Sequence, residues 1–267
     1  MRSSKLLAAL CLLSTTAAHA ALQAGDLAFT AFNADEDGFA VAAIRDIPAF
    51  TTVYFSDNEW SGGAPGSGTF NTGENTYAWV SGTAPISAGT VVRFSAIDQA
   101  MRAASAGAFG LFQGGTPGFS ATGDTMYAYA GDSAATPSQF IAALSSENFA
   151  GSVLAGSGLI AGVNAVAIGS GADFAEYIGA RSGEASFGAY AALINNPSQW
   201  RSFATGEFAA TAPDVTPFAI AAVPEPETYA LFLTGIGLIG WRLRKRGAQH
   251  APWPLCDALA ARATATA

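Results

Sequence analysis

The chain has 267 residues, with 12 basic against 20 acidic residues and a net charge of −8. Charged residues make up 12% of it, about half of the ~25% that is usual for soluble globular domains. Residues 21–222 hold 17 acidic residues, five arginines and no Lys, His or Cys. This composition excludes a nucleic-acid surface, which needs clustered cations. Within that stretch it also excludes a Ser-His-Asp triad, a Cys-His pair and a zinc site built from His and Cys.

Residues 1–20 have the pattern of a secretory signal peptide. A basic start precedes an apolar run over residues 6–13, and residues 18–20 form an A-x-A cleavage site. An apolar run of this length is too short to cross a bilayer as an uncleaved anchor. We therefore predict export through the Sec translocon and cleavage before Ala21.

For residues 21–210 we predict a mainly β fold, a single antiparallel β-sandwich or jelly-roll-like domain. Short apolar runs alternate there with turn residues, which is typical of such folds rather than of βαβ units. Roughly 190 residues are enough to bury a core without disulfides. Two segments have helical patterns, Ser138–Leu144 and Glu184–Asn195. The predicted strands are Leu27–Phe32, Phe39–Ile44, Thr51–Phe55, Thr76–Val80, Thr90–Ile97, Ala108–Phe112, Thr125–Ala130 and Val163–Ile168.

An acidic turn follows the first predicted strand. Asn33, Asp35 and Asp37 stand at alternate positions before Gly38, as the oxygen ligands do in the first half of a calcium loop. The position where a bidentate acid would complete an EF-hand is Ile44, so further oxygens would have to come from elsewhere in the fold. The three residues are candidate calcium ligands. The alternative is a solvated hairpin turn, which Asp and Gly favour.

Two carboxylates lie beside a tryptophan at Asp57 and Glu59. A glycosidase needs two acids about 5–10 Å apart across a cleft, and residues two apart on a strand share one face at roughly 7 Å. The alternative is a strand edge without a catalytic role. Four aromatic residues are candidates either for stacking on polysaccharide or for the core: Trp60, Tyr77, Trp79 and Trp200.

The opening of the body carries the segments GDLAFTAFNADEDGFA (residues 25–40), DIPAFTTVYFSDNEW (46–60) and GTFNTGE (68–74). These segments resemble a β-sandwich module of the lamin-tail type. The resemblance implies an attachment or interaction domain without catalytic residues.

The end of the chain has three parts after a predicted linker at 211–223. Pro224, Glu225 and Pro226 come first, followed by an apolar run over residues 229–241. Proline disfavours helix at the residue before it, so the two prolines separate this run from the linker. A basic cluster then ends the segment 224–246, and its members are Arg242, Arg244, Lys245 and Arg246.

The basic cluster should stay cytoplasmic, which places the body outside the cell. Thirteen apolar residues cover roughly 20 Å at about 1.5 Å each, short of a ~30 Å hydrocarbon core. Local thinning of the bilayer and snorkelling of Arg242 would absorb part of the mismatch. We predict a short transmembrane helix here. A buried core helix is the alternative on length alone, but the flanking cations argue against it.

This three-part end resembles the PEP-CTERM sorting signal of Gram-negative bacteria. The resemblance implies recognition of Pro224, Glu225 and Pro226 by an exosortase, a membrane-embedded enzyme resembling a cysteine protease. It implies that residues 229–241 span the membrane and that residues 242–246 act as the stop. Cleavage near the motif would transfer the protein to the cell surface or the exopolysaccharide matrix.

Residues 247–267 depart from the family pattern, whose members usually end soon after the basic cluster. This atypical cytoplasmic tail is either an artefact of the sequence or a genuine extension.

We predict a non-enzymatic structural or interaction protein of the extracellular matrix. It is membrane-anchored until processing, associates with exopolysaccharide and not with nucleic acid, and has no cofactor other than the candidate calcium. The alternative function is a carboxylate-dependent enzyme acting on glycans.

Overall fold

The structure is a computed structural model of the chain that describes residues 21–120, 123–151, 153–222 and 226–247. The predicted signal peptide lies outside the described residues, as does the predicted tail beyond Gly247. The chain divides into two compact units, one ending at Ala221 and one beginning at Ala222.

The described part of the first unit is mainly β, as the alternating pattern predicts. One α-helix, α1 (Phe187–Ile194), and one short 3-10 turn, Pro197–Gln199, accompany its strands. The strands are β1 (Leu27–Asn33), β2 (Gly38–Ala43), β3 (Thr52–Ser56), β4 (Thr76–Val80), β5 (Val91–Ser95), β6 (Ala103–Ala104), β7 (Ala108–Gln113), β8 (Thr125–Ser133), β9 (Thr136–Ser145), β10 (Ala165–Ala167), β11 (Phe174–Tyr177), β12 (Ser182–Glu184), β13 (Trp200–Phe203) and β14 (Ala219–Ile220).

These strands form two six-stranded sheets and one small ribbon. The first sheet has the order β13-β11-β1-β2-β5-β6 and the second has the order β10-β9-β8-β3-β4-β7. Neighbours in both sheets are antiparallel except β9 and β10, which are parallel. The ribbon joins β12 and β14 in parallel.

The main core lies between the two large sheets. The Phe39 ring of the first sheet lies 4.6 Å from Phe94 of the same sheet and 4.9 Å from Phe55 of the second. Such ring pairs add about 0.5–1.5 kcal/mol each beyond the area they bury. Contact between rings from the two sheets makes the unit a β-sandwich.

The second sheet carries another core on its opposite face. Successive side chains of a strand point to opposite faces, and Met126 belongs to the main core whereas Tyr127 and Tyr129 belong to the second. Trp60 and Phe140 complete the aromatic part of this second core. Both faces of the second sheet are therefore covered over much of their area, which explains why β8 and β9 have long buried stretches.

Each of the eight predicted strands overlaps a strand of the structure, and the predicted helix 184–195 contains α1. The helix begins after Ser186, whose side chain accepts a hydrogen bond from the Ala189 amide, a favourable N-cap. The predicted helix Ser138–Leu144 is wrong, because these residues lie in β9. Residues 140–144 form a continuous apolar run, and periodicity cannot decide whether such a run is a helix or a strand covered on both faces.

The part of the predicted linker that belongs to the first unit, residues 211–221, is packed against the body rather than extended from it. Phe218 is buried, and its ring lies 5.0 Å from the Tyr190 ring and 4.8 Å from the Arg181 guanidinium. Arg181 also forms an ion pair of 3.0 Å with Asp214. The compact unit therefore extends beyond the predicted domain boundary at residue 210. The buried Phe218 ring holds this segment on the body although its composition is typical of a linker.

Candidate functional site

The candidate calcium ligands lie in the hairpin turn between β1 and β2. Asn33 is buried, and its side-chain oxygen accepts hydrogen bonds of 3.1 Å from the amides of Asp35 and Glu36. Its side-chain nitrogen donates to the carbonyl oxygens of Phe208 and Thr211, at 3.0 and 3.1 Å. Asn33 thus closes the turn and ties it to a distant part of the chain.

The two aspartates of this turn also accept backbone hydrogen bonds. An Asp35 oxygen accepts from the Phe208 amide and an Asp37 oxygen from the Phe119 amide, both at 2.6 Å. Burial raises the pKa of Asp37 to about 6, against the lowering effect of the Phe119 amide. Among the described residues, no group of three or more His, Cys, Asp or Glu side chains could hold a metal ion. Calcium binding by Asn33, Asp35 and Asp37 stays a prediction.

Asp57 and Glu59 occupy different environments. Strand β3 ends at Ser56, so the two acids do not share the strand face that their spacing predicts. Asp57 is 2% exposed. Glu59 is exposed, and one of its carboxylate oxygens accepts a hydrogen bond of 3.3 Å from the Asn71 side chain.

The four candidate aromatics belong to the cores. Trp60, Tyr77, Trp79 and Trp200 are each at most 8% exposed. Each indole N–H donates to a backbone carbonyl, at 3.0 Å for Trp60, 2.8 Å for Trp79 and 2.7 Å for Trp200. Buried aromatics of this kind satisfy their polar atom inside the protein, so these four rings do not form a surface for polysaccharide.

A set of carboxyl groups lies where strands of the second sheet begin or end, and we call it the acidic cluster: Asp57, Glu74, Asp124 and Glu147. Burial, reinforced by the charge of Glu74, raises the pKa of Asp57 to about 8. Burial also raises the pKa of Asp124 to about 7, against the lowering effect of the Ser120 amide, and the charges of Glu74 and Glu147 add to the rise. At pH 7 the Asp57 carboxyl group is therefore mostly protonated, and the Asp124 carboxyl group is close to the midpoint of its titration.

Within this cluster, Asp57 has the least favourable environment for a charged carboxylate. Both of its carboxyl oxygens are buried, and neither makes a hydrogen bond to a described residue, although its own amide and that of Asn75 oppose the rise in its pKa. A charge buried without a partner costs several kcal/mol, so protonation is the cheaper state.

Polar residues from four strands surround the acidic cluster. The Asn58 side chain donates to the Ser56 hydroxyl and to the Glu74 carbonyl, both at 3.0 Å. On the next strand pair, the Thr125 hydroxyl donates to the Ser145 hydroxyl at 3.0 Å and to Glu147 at 2.9 Å. In the sequence these groups are four separate pairs of polar residues, and only the strand register brings them together. The pairs are Asp57-Asn58, Asn75-Thr76, Asp124-Thr125 and Ser145-Ser146.

The described residues of the second unit form one helix, α2 (Pro226–Gly247). Proline suits the first position of a helix, where its missing N–H is not needed. Pro224 and Glu225 lie outside the described residues, as does the side chain of Arg246. The described residues of the chain include no helix that is both long and apolar enough to cross a membrane.

The exposed side chains of α2 follow the apolar and the basic part of the sequence pattern. Leu231, Phe232 and Leu233 are among its exposed apolar residues. Arg242, Arg244 and Lys245 are exposed at its other end, where the Lys245 ammonium lies 4.3 Å from the centre of the Trp241 ring. An aromatic residue beside cations is typical of a membrane–water interface.

Residues 222–246 match the family model of the PEP-CTERM protein-sorting motif. The chain carries a PEP-CTERM sorting motif. This confirms the resemblance on which Pro224, Glu225 and Pro226 were assigned to recognition, and the basic residues 242–246 fall within the same match. A PEP-CTERM motif indicates an exported protein with a membrane-anchored sorting signal, and it implies recognition by an exosortase.

The body upstream of the PEP-CTERM motif has no such counterpart. No curated protein and no solved structure matches the chain. The lamin-tail-type resemblance of the body stays a prediction.

Proposed function

We propose that this protein is a non-catalytic interaction protein of the extracellular or exopolysaccharide matrix, delivered to the cell surface by exosortase processing. The observation that carries the proposal is the PEP-CTERM motif at residues 222–246. It follows a disulfide-free β-sandwich whose stretch 21–222 has 17 acidic residues and five arginines. An acidic surface of this kind keeps an exported domain soluble and limits its contact with other anionic surfaces.

The route begins with the Sec translocon, which the signal peptide 1–20 engages. The apolar side chains of α2 then hold the chain in the membrane, and the basic residues 242–246 stop its transfer. Exosortase recognises Pro224, Glu225 and Pro226 and releases the body to the surface.

The environments of Asp57 and Glu59 support the proposal that the body is not catalytic. Asp57 is 2% exposed, so it cannot reach a substrate in the surrounding solvent. Glu59 is exposed but hydrogen-bonded to Asn71. A glycosidase needs both acids on one cleft, and a cell-surface interaction domain does not.

The sorting part of the proposal is tested by replacing Pro224, Glu225 and Pro226 with alanine in a host that has an exosortase. We expect the variant to accumulate in the membrane fraction at full length while the parent is shortened and reaches the surface. Pro252→Ala and Pro254→Ala make the matched control, because these prolines lie downstream of residues 222–246. Surface processing that is the same in all three proteins would refute exosortase sorting.

The matrix part is tested by incubating the purified protein with extracted exopolysaccharide. We expect co-sedimentation without any release of reducing sugar. Release of sugar that the double variant Asp57→Asn, Glu59→Gln abolishes would instead establish the glycan-acting enzyme.

A further inference from the structure

A small cavity opens beside the second core, at the surface of the second sheet. Its volume is about 160 Å³. Polar side chains and one aromatic ring dominate its lining: Asn58, Thr69, Phe70, Asn71, Thr72 and Gln113.

Some of these polar groups are held in place and others are available to a ligand. The Asn71 side-chain oxygen accepts a hydrogen bond of 2.9 Å from the Glu59 amide, and Asn58 is fixed by its bonds to Ser56 and Glu74. The exposed side chains of Thr72 and Gln113 make no hydrogen bond to any residue that the structure describes. The cavity thus combines a rigid wall with a free hydroxyl group and a free amide.

A row of aromatic rings leads from the cavity wall to the solvent. The Phe70 ring lies 5.2 Å from Tyr129, which stacks at 5.6 Å on Tyr54. Tyr54 in turn lies 5.7 Å from Phe112, a residue that is 54% exposed and directly precedes Gln113. The row therefore ends in an open ring next to one of the free polar groups.

The edge strand β7 presents Phe112 through an irregularity. Gln113 pairs with Thr76, but the next partner, Tyr77, pairs with Leu111, so Phe112 is the extra residue. Bulges of this kind re-aim a side chain and are common at functional edges.

The charge around the cavity decides which ligand fits. Glu59 is bonded to Asn71, and Glu74 is bonded through its backbone to Asn58, whereas the cavity lining contains no cation. An anionic polymer would be repelled here. A neutral sugar offers hydroxyl groups to amide and hydroxyl side chains, and its apolar face can pack on an aromatic ring.

We propose that the cavity and the Phe112 ring form a binding site for a neutral polysaccharide. Ligand pockets for larger molecules have about 300–1,000 Å³, so this one accepts a single sugar unit while the adjoining units cross Phe112. The inference rests on the proposed matrix function and names the chemistry of its partner.

Affinity gel electrophoresis tests this site on the full chain. The protein migrates in native gels that contain hydroxyethylcellulose, galactomannan, dextran or the anionic polymer alginate. A polyoxyethylene detergent keeps α2 in solution without adding a sugar headgroup. We expect at least one neutral polysaccharide, and not alginate, to slow the protein.

Variants locate the binding to the cavity. Phe112→Ala should weaken binding about fivefold to tenfold, the equivalent of an aromatic contact, and Gln113→Ala and Thr72→Ala should weaken it several-fold. All three residues are exposed, so the melting temperature should not change. Phe50→Ala and Gln99→Ala are the matched controls, since both are exposed and lie outside the cavity lining.

The inference is overturned if no neutral polysaccharide slows the protein, if alginate slows it equally, or if the three cavity variants bind like the parent. Co-sedimentation with native exopolysaccharide that survives in the cavity variants would leave the proposed function intact and refute only this site. If the protein does not reach the surface but is still slowed by a neutral polysaccharide in the gel, the binding site stands and the proposed delivery is refuted.

Discussion

Replacing Asp57 by Asn should stabilise the protein at neutral and alkaline pH. The pKa of this carboxyl is raised from 3.8 to about 8 in the folded protein, first by burial and then by Glu74. Folding therefore takes up a proton at neutral pH, which lowers the free energy of unfolding. An asparagine has the size of the protonated acid and needs no proton, so the variant avoids this cost.

The size of the effect follows from the pKa change. One pKa unit corresponds to about 1.4 kcal/mol, and pH 7 lies about three units above the unfolded value. The gain at pH 7 is then at most about 4 kcal/mol. The contribution of Asp57 to stability is fully present below pH 3.8 and is lost as the pH rises towards 8, so parent and variant should converge near pH 4.

Thermal unfolding between pH 4 and pH 9 measures this difference. A gain of about 1 kcal/mol raises the melting temperature of a domain of this size by about 2–4 °C, so Asp57→Asn should melt higher at pH 7, by at most about 8–16 °C. Asp132→Asn is the matched control, because Asp132 is exposed. An equal shift at pH 4 and pH 8, or a variant that melts below its parent at pH 8, would refute the assignment of a buried, protonated Asp57.

Three further predictions use the same melting assay. Phe218→Ala should destabilise the protein by about 3–5 kcal/mol, the cost of emptying a buried aromatic site; an unchanged melting temperature would mean that residues 211–221 are a free linker after all. Gly107→Ala should cost more than Gly66→Ala: both have positive φ, but only at Gly107 would a Cβ lie 2.3 Å from a backbone oxygen. If Asn33, Asp35 and Asp37 bind calcium as their spacing predicts, added calcium should raise the melting temperature and chelator should reverse the rise; an unchanged melting temperature would mean that the turn is held by its amide hydrogen bonds alone.

Local patterns in the sequence predict the strands of the main core well. In β5 the residues Val92 and Phe94 are buried while Arg93 and Ser95 are half-buried, so the expected alternation is present. The start of α1 also has a local cause, because the Ser186 side chain caps the helix. Signals of this kind depend on neighbours within a few residues.

The remaining features depend on partners that are far apart in the chain. Strands β11 and β13 are short, with four residues each, and carry little pattern of their own. The acidic cluster is assembled from the ends of different strands, so Asp57 has the appearance of an exposed catalytic acid until its burial is known. The cavity was not predicted for the same reason, since its lining joins Phe70, in the connection between β3 and β4, to Gln113 at the end of β7.

The central strand β1 constrains how the domain can fold during export. Ala31 pairs with Glu176 of β11, and Glu176 pairs in turn with Arg201 of β13. On the proposed Sec route, the first sheet therefore cannot close until nearly the whole body has left the translocon, and such distant contacts make folding slow. The N-terminal half must wait unfolded at the outer side of the membrane while the rest of the chain arrives.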